Sequence, residues 1–187
     1  MARDLVGATI VADAGTADEV RACLVEVEAY LGEGDAASHA FRGPTRRASI
    51  MFGPAGHLYV YLSYGMHHCA NVVCGRSGEA AAVLLRAACV TAGEAVVRRR
   101  RGPAATPVGL LSGPGNLCRG LALSRADNGA DLCGPGRIRL EGRVGEVDVS
   151  AGPRIGISRA TDLLLRFWWT GHPAVSGGRG AEERDRR

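Results

Sequence analysis

The sequence predicts a single α+β domain with a mostly antiparallel sheet. Two observations lead to this fold class. The 187 residues are 46% hydrophobic and 22% charged, which is ordinary for one globular domain with a buried core. Along the chain, short runs typical of strands outnumber the stretches typical of helices. We expect residues 1–176 to form the domain and residues 177–187, almost entirely glycine and charged residues, to form a flexible tail.

The first two predicted strands are residues 7–12 and 22–30. In the second, successive side chains should point to opposite sides of the sheet. Strict alternation would then place Glu26, Glu28 and Tyr30 on one face, and Cys23, Val25, Val27 and Ala29 on the other.

Residues 57–63 and 68–74 are predicted to pair as a hairpin with Tyr64 at its tip. Hairpin tips usually carry Gly, Asn or Asp. A large aromatic residue there either docks on a neighbouring element or inserts into a binding partner.

The next strand, residues 82–89, is a nearly continuous apolar run broken by Arg86, as expected of a central strand with one inward charge. A short helix is predicted for residues 92–98. Residues 98–109, which begin with four consecutive arginines, should form a surface loop.

A second helix should begin near Pro114, with Leu117 and Leu121 facing the core. The remaining predicted strands are residues 137–141, 154–158 and 163–169.

Composition excludes one class of chemistry. All 23 basic residues are arginine, so no lysine is available for Schiff-base catalysis. The only amine is the α-amino group, on an N-terminal segment that we expect to be mobile. The net charge of +4 favours anionic partners only mildly.

Metal and nucleophile motifs are not found in the sequence. The six cysteines contain no CxxC pair and are expected to be free thiols in the core. No HxH or HExxH spacing occurs, and the adjacent His67 and His68 should face opposite sides of a strand. We therefore expect no metal and no cofactor. A Ser-His-Asp catalytic triad stays a possible alternative, although no GxSxG motif is present.

All four tyrosines lie within 35 residues, between Tyr30 and Tyr64, close to Glu26 and Glu28. This cluster is either a tyrosine-rich edge of the core or a site that holds a flat or cationic ring beside a proton acceptor. One set of arginines consists of Arg42, Arg46 and Arg47, and a second set is the run 98–101. Each set forms either phosphate contacts or a solvated face.

Six blocks between Ala2 and Ser176 carry a resemblance to a known family. They are VEVEAYLGEGDAASHA (25–40), FGPAGHLYVYLSYGMHHCANVV (52–73), VLLRA (83–87), GPGNLCRGLAL (113–123), PRIGIS (153–158) and LRFWWTGHPAVS (165–176). In this order, they resemble the alkyladenine (3-methyladenine, or methylpurine) DNA glycosylases of base-excision repair. The resemblance implies one domain with a curved antiparallel sheet and a protruding hairpin that enters the DNA minor groove.

The resemblance also implies roles for individual residues. Glu28 stands where the family keeps its water-activating base, and Arg86 and the Ile157 carbonyl stand where that water is held. The flipped base would be sandwiched by Tyr30, His39 and Tyr61. Asn71 stands where the family excludes the amino group of normal guanine. Tyr64, with Met66, stands where the family fills the gap in the duplex.

The expected activity is a DNA glycosylase that flips alkylated or deaminated purines out of duplex DNA and hydrolyses the N-glycosidic bond, leaving an abasic site in an uncut strand. Its partner would be double-stranded DNA containing a damaged purine. We expect a monomer without membrane contact, in the cytoplasm or, in a prokaryote, at the nucleoid. Two alternatives stay open: a noncatalytic nucleic-acid binding module of the same fold, and a small-molecule hydrolase unrelated to DNA.

Overall fold

The computed structural model describes residues 1–177. The predicted tail therefore lies outside the described residues, except for Gly177. The described chain folds into one eight-stranded sheet in which every strand pair is antiparallel. The strands are β1 (Ala8–Ala12), β2 (Val20–Tyr30), β3 (Leu58–Ser63), β4 (His67–Val73), β5 (Ala82–Ala92), β6 (Ile138–Arg143), β7 (Val149–Gly152) and β8 (Arg166–Trp169).

Three α-helices and four short 3-10 helices accompany the sheet. The α-helices are α1 (Ala2–Leu5), α2 (Glu94–Arg101) and α3 (Pro114–Gly120). The 3-10 helices are Gly32–Gly34, Ser49–Phe52, Pro107–Gly109 and Arg125–Asp127. The α+β class with a mostly antiparallel sheet is thus confirmed. Within residues 1–177, the protein has no helix long and apolar enough to cross a membrane.

β2 is the central element, because three strands pair with it. The strand order is β3-β4-β5-β2-β1-β6, so β5 runs along one edge of β2. The other edge is shared by β1, which pairs with the first half of β2, and β8, which pairs with Glu26, Val27 and Glu28. The second half of β2 is therefore covered on both edges.

Two opposing β-bulges break the predicted alternation in β2. Leu24 pairs with Ala88 and Glu26 with Ala87, so Val25 has no partner; Arg86 is then skipped on β5. Leu24 and Val27 consequently lie in the main core, whereas Val25 packs elsewhere. The prediction that Val25 and Val27 share a face is wrong, because each bulge inserts one residue and re-aims the side chains around it.

Residues 154–158 do not form the predicted strand. The side chain of Arg154 bonds to Asp35, and the Ile155 N–H donates to Glu28. The backbone of this segment therefore bonds to side chains and not to a strand, and Gly156 adopts a positive φ of 76°. The strand that precedes this loop, β7, was not predicted.

The arginine run lies in helix α2 and not in the predicted loop. All four guanidinium groups bond within the protein: Arg98 to Glu94, Arg99 to Asp18, Arg100 to Asp13 and Arg101 to the Leu110 carbonyl. These contacts favour a structural role for the run over phosphate binding.

The main core lies between the sheet and helices α2 and α3. Leu117 and Leu121 are fully buried in it, as predicted. A smaller cluster of Ala40, Met51, Tyr59 and Val73 supports the loop between β2 and β3. The two clusters hold β3, β4, β5 and β2 side by side, and the strand register then determines which side chains meet.

Candidate active site

One row of paired residues crosses five neighbouring strands. In the ladder, Arg166 pairs with Glu28, Glu28 with Leu84, Leu84 with Asn71, and Asn71 with Tyr59. Directly paired residues project from the same face of a sheet. The register therefore brings together residues from four sequence blocks that are far apart in the chain.

Glu28 is a fully buried carboxylate with two hydrogen-bond donors and one guanidinium ion-pair partner. Its Oε1 accepts from the Ile155 N–H at 2.7 Å and lies 3.2 Å from the Arg86 guanidinium, and its Oε2 accepts from the Tyr30 hydroxyl at 3.0 Å. The exposed fraction of Glu28 is 0%. A charge without exposed surface needs such partners, because burial in an apolar medium is costly. Oε2 has only one donor and can therefore accept a further hydrogen bond.

Arg86 connects Glu28 to a second buried carboxylate, that of Glu26. Its Nε donates to Glu26 at 2.8 Å, and one terminal nitrogen donates to the Ser176 hydroxyl at 3.1 Å. Glu26 also accepts from Arg166 at 2.7 Å and from the Ser176 N–H at 2.6 Å. Two carboxylates therefore face two guanidinium groups. Removing one member of such a buried set leaves an unpaired charge, which typically costs about 3–5 kcal/mol.

Tyr30 is held between Glu28 and a second ion pair. The Arg154 guanidinium lies 4.6 Å from the centre of the Tyr30 ring, and Arg154 is bonded to Asp35. Burial, followed by the charge of Glu28, raises the pKa of Tyr30. The phenol is thus neutral at physiological pH and donates its proton to the carboxylate.

A cavity of about 590 Å³ lies in front of this buried cluster. Glu28 itself does not line it; the carboxylate lies behind Tyr30, Arg86 and Ile155, which do. This volume is in the range of small-molecule pockets. The other residues that the sequence analysis placed in the site and that line the cavity are His39, Arg47, Tyr61, Tyr64, Asn71 and Ile157.

Aromatic rings form one wall of the cavity. The rings of His39 and Tyr61 meet edge to face, with centroids 4.6 Å apart, and the His39 Nδ1 lies 3.2 Å from the Tyr59 hydroxyl. Burial, with a smaller effect of the Arg47 guanidinium, lowers the pKa of His39 to about 4, although part of the side chain is exposed. The imidazole is therefore neutral near pH 7.

Arg47 belongs to this wall. Its guanidinium carbon lies 4.8 Å from the centre of the Tyr61 ring, and one nitrogen lies 3.4 Å from the His39 Nε2. Sequence reasoning grouped Arg47 with Arg42 and Arg46 as a phosphate contact. Arg42 instead lines a second, more open cavity of about 460 Å³, and Arg46 is exposed outside both cavities.

Asn71 is buried on the cavity floor, with its amide nitrogen donating to the Tyr59 carbonyl at 3.1 Å. This bond fixes the plane of the amide. The side chain therefore presents a rigid surface to anything that enters the cavity.

The β3–β4 hairpin reaches the cavity rim through a two-residue turn. Tyr64 and Gly65 both have positive φ, 49° and 70°, and the Met66 N–H donates to the Ser63 carbonyl at 3.0 Å. This is a type I′ turn, which favours Asn or Gly over tyrosine. Tyr64 is nevertheless 89% exposed and Met66 72% exposed. An exposed aromatic residue in a strained turn points to a function beyond folding.

The tip end of the hairpin, at His67, packs on helix α3. A Cβ added to Gly115 would lie 3.1 Å from the His67 side chain, a close contact that glycine avoids. The contact places the hairpin tip next to Pro114, which also lines the cavity.

Several site residues were not predicted. Tyr59 was noted only as part of the tyrosine cluster, and Asp35, Arg154, Ile155, Arg166 and Ser176 were missed. Arg154 and Arg166 each interrupt an apolar segment, which is the same signal that identified Arg86. Within residues 1–177, no cluster of three or more His, Cys, Asp or Glu side chains could hold a metal ion.

Most of the sequence also matches known proteins. The family described as "Methylpurine-DNA glycosylase" matches residues 1–173. A Mycolicibacterium fortuitum protein named "Putative 3-methyladenine DNA glycosylase" is 50% identical over 183 residues, or 94% of this chain and 90% of the relative. A protein of the same name from Corynebacterium glutamicum is 48% identical over 84% of this chain and 82% of its own length. Another from Mycobacterium tuberculosis is 50% identical over 94% of this chain and 86% of its own length. With a family match over nearly its whole length, this chain belongs to the methylpurine-DNA glycosylase family.

Proposed function

We propose that this DNA glycosylase flips an alkylated or deaminated purine out of duplex DNA into the 590 Å³ cavity and hydrolyses the N-glycosidic bond with water activated by Glu28. Family membership supplies the reaction class. The observation that carries the residue assignments is a fully buried carboxylate directly behind an aromatic cavity, whose rim bears an exposed tyrosine.

Access to the base requires that the nucleotide leave the stack, which costs a few kcal/mol. Tyr64 is suited to lower that cost, because its exposed ring can enter the space left in the duplex. Met66, also exposed, would extend the same wedge. The strained turn favours this assignment, since asparagine or glycine would be better if only folding mattered.

The flipped base would be held by the aromatic wall. Stacking of a cationic base on Tyr30 or Tyr61 is worth roughly 0.5–2 kcal/mol per ring. A neutral His39 adds no positive charge that would repel such a base. Asn71 would reject the amino group of normal guanine, since its amide is fixed by the bond to Tyr59.

Hydrolysis would use the free lone pair of Glu28 Oε2. The carboxylate takes a proton from water, the water oxygen bonds to the anomeric carbon, and the purine leaves with the electrons of the N-glycosidic bond. Arg86 holds Oε1 at 3.2 Å, and the Ile157 carbonyl is our candidate for orienting the water. Because Glu28 has no exposed surface, water reaches Oε2 only when a covering residue such as Tyr30 shifts.

The test is base release from duplexes that each carry one lesion: 3-methyladenine, 7-methylguanine, hypoxanthine or ethenoadenine. Free base is measured by chromatography, and abasic sites are cleaved with alkali. Release of at least one of these purines by the wild type supports the proposal. Lesion binding without any release would indicate the noncatalytic binding module.

A further inference from the structure

A pair of cysteines lies on the two strands that carry the candidate catalytic residues. Cys23 on β2 pairs directly with Cys89 on β5 in the antiparallel ladder. Paired Cα atoms in such a ladder are about 4.5–5.5 Å apart, which is within the roughly 4.4–6.8 Å that a disulfide spans. Both thiols are free in this structure.

The two thiols are in different surroundings. Cys23 is buried, whereas Cys89 is half-buried and can be reached from solvent. The contact between them, together with burial, raises the pKa of Cys23. The same contact, aided by the neighbouring His172, lowers the pKa of Cys89 despite its burial. The outer sulfur is therefore the more nucleophilic one, and the inner sulfur keeps its proton.

His172 lies close enough to Cys89 to influence its thiol. Its Nδ1 accepts the Ala174 N–H at 3.2 Å, which leaves Nε2 as the ring nitrogen that can donate. The Trp169 ring lies 5.3 Å from the imidazole, centre to centre, and limits its movement. A fixed N–H donor next to a thiol stabilises the thiolate.

The other cysteines lack this arrangement. Cys69 and Cys118 are buried, and burial raises the pKa of each thiol. Cys74 is half-buried, and burial raises its pKa as well. Cys133 is exposed and serves as an internal reference for simple accessibility.

We propose that Cys23 and Cys89 form an oxidisable dithiol, in which Cys89 attacks the oxidant and Cys23 resolves the sulfenic acid that forms. The Cys89 thiolate attacks a peroxide, the O–O bond breaks, and a sulfenic acid forms with release of water. The Cys23 sulfur then bonds to the Cys89 sulfur and a second water leaves, so that two thiols and one hydrogen peroxide give one disulfide and two waters. Trapping the sulfenic acid as a disulfide keeps the oxidation reversible.

The dithiol lies at the edge of the buried cluster. Cys89 and the apolar residues Ala174 and Val175 pack around the same small core, and Ser176 follows directly. Oxidation at Cys89 would thus occur next to the segment that bonds to Glu26 and Arg86. The proposal does not depend on the glycosylase mechanism, because its test measures only sulfur chemistry.

Tryptic peptides give a direct readout. Cleavage at arginine places Cys23 in residues 22–42 and Cys89 in residues 87–98, each peptide having a single cysteine. After the reduced protein is treated with hydrogen peroxide and the free thiols are blocked with N-ethylmaleimide, mass spectrometry should show these two peptides joined. The joined species should disappear on addition of dithiothreitol. Labelling of Cys133 under the same conditions checks that the reagents are effective.

Three variants separate the roles. In Cys23→Ala, dimedone should trap a sulfenic acid on Cys89, whereas Cys133→Ala should leave the joined peptides unchanged. At a pH below the pKa of Cys89, His172→Asn should slow alkylation of Cys89 about tenfold for each unit by which that pKa rises, because the thiolate fraction falls by this factor. Absence of the joined peptides in the wild type, or faster oxidation of Cys133 than of Cys89, would overturn the proposal.

Discussion

The Asp35 carboxylate accepts two hydrogen bonds from the Arg154 guanidinium, at 2.5 and 2.8 Å, and neither side chain has exposed surface. Burial alone would raise the pKa of Asp35, yet the bonds from Arg154 and from two backbone N–H groups together lower it. Arg154 also donates to the Ala29 carbonyl at 2.9 Å. One ion pair thus ties the end of β2 to the loop that carries Ile155, and so positions two of the three groups that cover Glu28.

Replacing Asp35 should damage both stability and activity. Asp35→Asn leaves the Arg154 charge buried without its partner, so the free energy of unfolding should fall by about 3–5 kcal/mol. Urea denaturation measures this loss, and single-turnover excision by the folded fraction should be slower as well. Asp18→Asn, which breaks an exposed pair with Arg99, is the matched control and should cost less than about 1 kcal/mol. Equal stability of both variants would contradict the assignment.

The two buried glutamates should differ in their effects on catalysis. Glu28→Gln should still bind lesion-containing duplex but excise at least about 10²-fold more slowly, because the general base is gone. Glu26→Gln, which removes a charge facing Arg86 and Arg166, should mainly lower stability and keep more activity than Glu28→Gln. Excision rates and binding are measured on the same duplex. The reverse order of activities would remove Glu28 from its proposed role.

The hairpin tip offers a substitution that separates folding from function. Asparagine is favoured at a positive φ in a type I′ turn, so Tyr64→Asn should fold at least as stably as the wild type. Excision should nevertheless fall, and more for lesions in stable base pairs than for mispaired ones, because the wedge offsets more unpairing there. Thermal melting and excision from the two duplexes test this. Unchanged activity on the paired lesion would exclude the wedge.

His39 should make the protein less stable in mild acid. Its pKa in the folded state, about 4, is below its ordinary value near 6.5, so the unfolded chain binds more protons between these values. Stability contributed by the neutral imidazole should therefore be lost as the pH falls from about 6.5 towards 4. Solvent at the exposed part of the ring should limit the loss to about 1 kcal/mol. Unfolding curves should show a smaller difference in stability between pH 7 and pH 4.5 for His39→Gln than for the wild type. An equal loss of stability in both proteins would contradict this.

The absence of lysine predicts an enzyme that leaves the strand intact. Strand cleavage by a glycosylase requires an imine between an amine and the sugar. The sole amine in this sequence is the N-terminal group, which lies 2.8 Å from Asp4 in an exposed ion pair at helix α1. Borohydride should therefore trap no protein–DNA adduct, and strand breaks should appear only after alkali. An adduct would place this amine in the site.

Much of the fold follows from local sequence patterns, since seven of the eight predicted strands overlap observed ones. The errors occur where side chains replace the ladder as hydrogen-bond partners. Arg154 bonds to the Ala29 carbonyl of β2, and Glu28 of β2 accepts from the Ile155 N–H, so residues 154–158 resemble a strand in composition but do not pair as one. The bulges at Val25 and Arg86 likewise depend on how two strands meet, which no single strand reveals.

The candidate site was also partly predictable from local sequence patterns. Glu28, Arg86 and the tyrosines are conspicuous where they stand in the sequence, because a charge in an apolar run or a tyrosine cluster is unusual. The residues that bond to them do not stand out within their own segments of the sequence. Ser176 becomes a site residue only through three contacts, with Glu26, Arg86 and Arg166, that exist after the chain has folded.

The bond between Glu26 and Ser176 joins residues 150 positions apart, which has a consequence during protein synthesis. A ribosome adds about 5–20 residues per second, so the glutamates emerge many seconds before the serine. Until then, Arg86 lacks one of its partners and the strands around β2 lack β8. A nascent chain therefore cannot complete the buried cluster, and we expect the hydrolytic activity proposed for it only after nearly the whole domain has been translated.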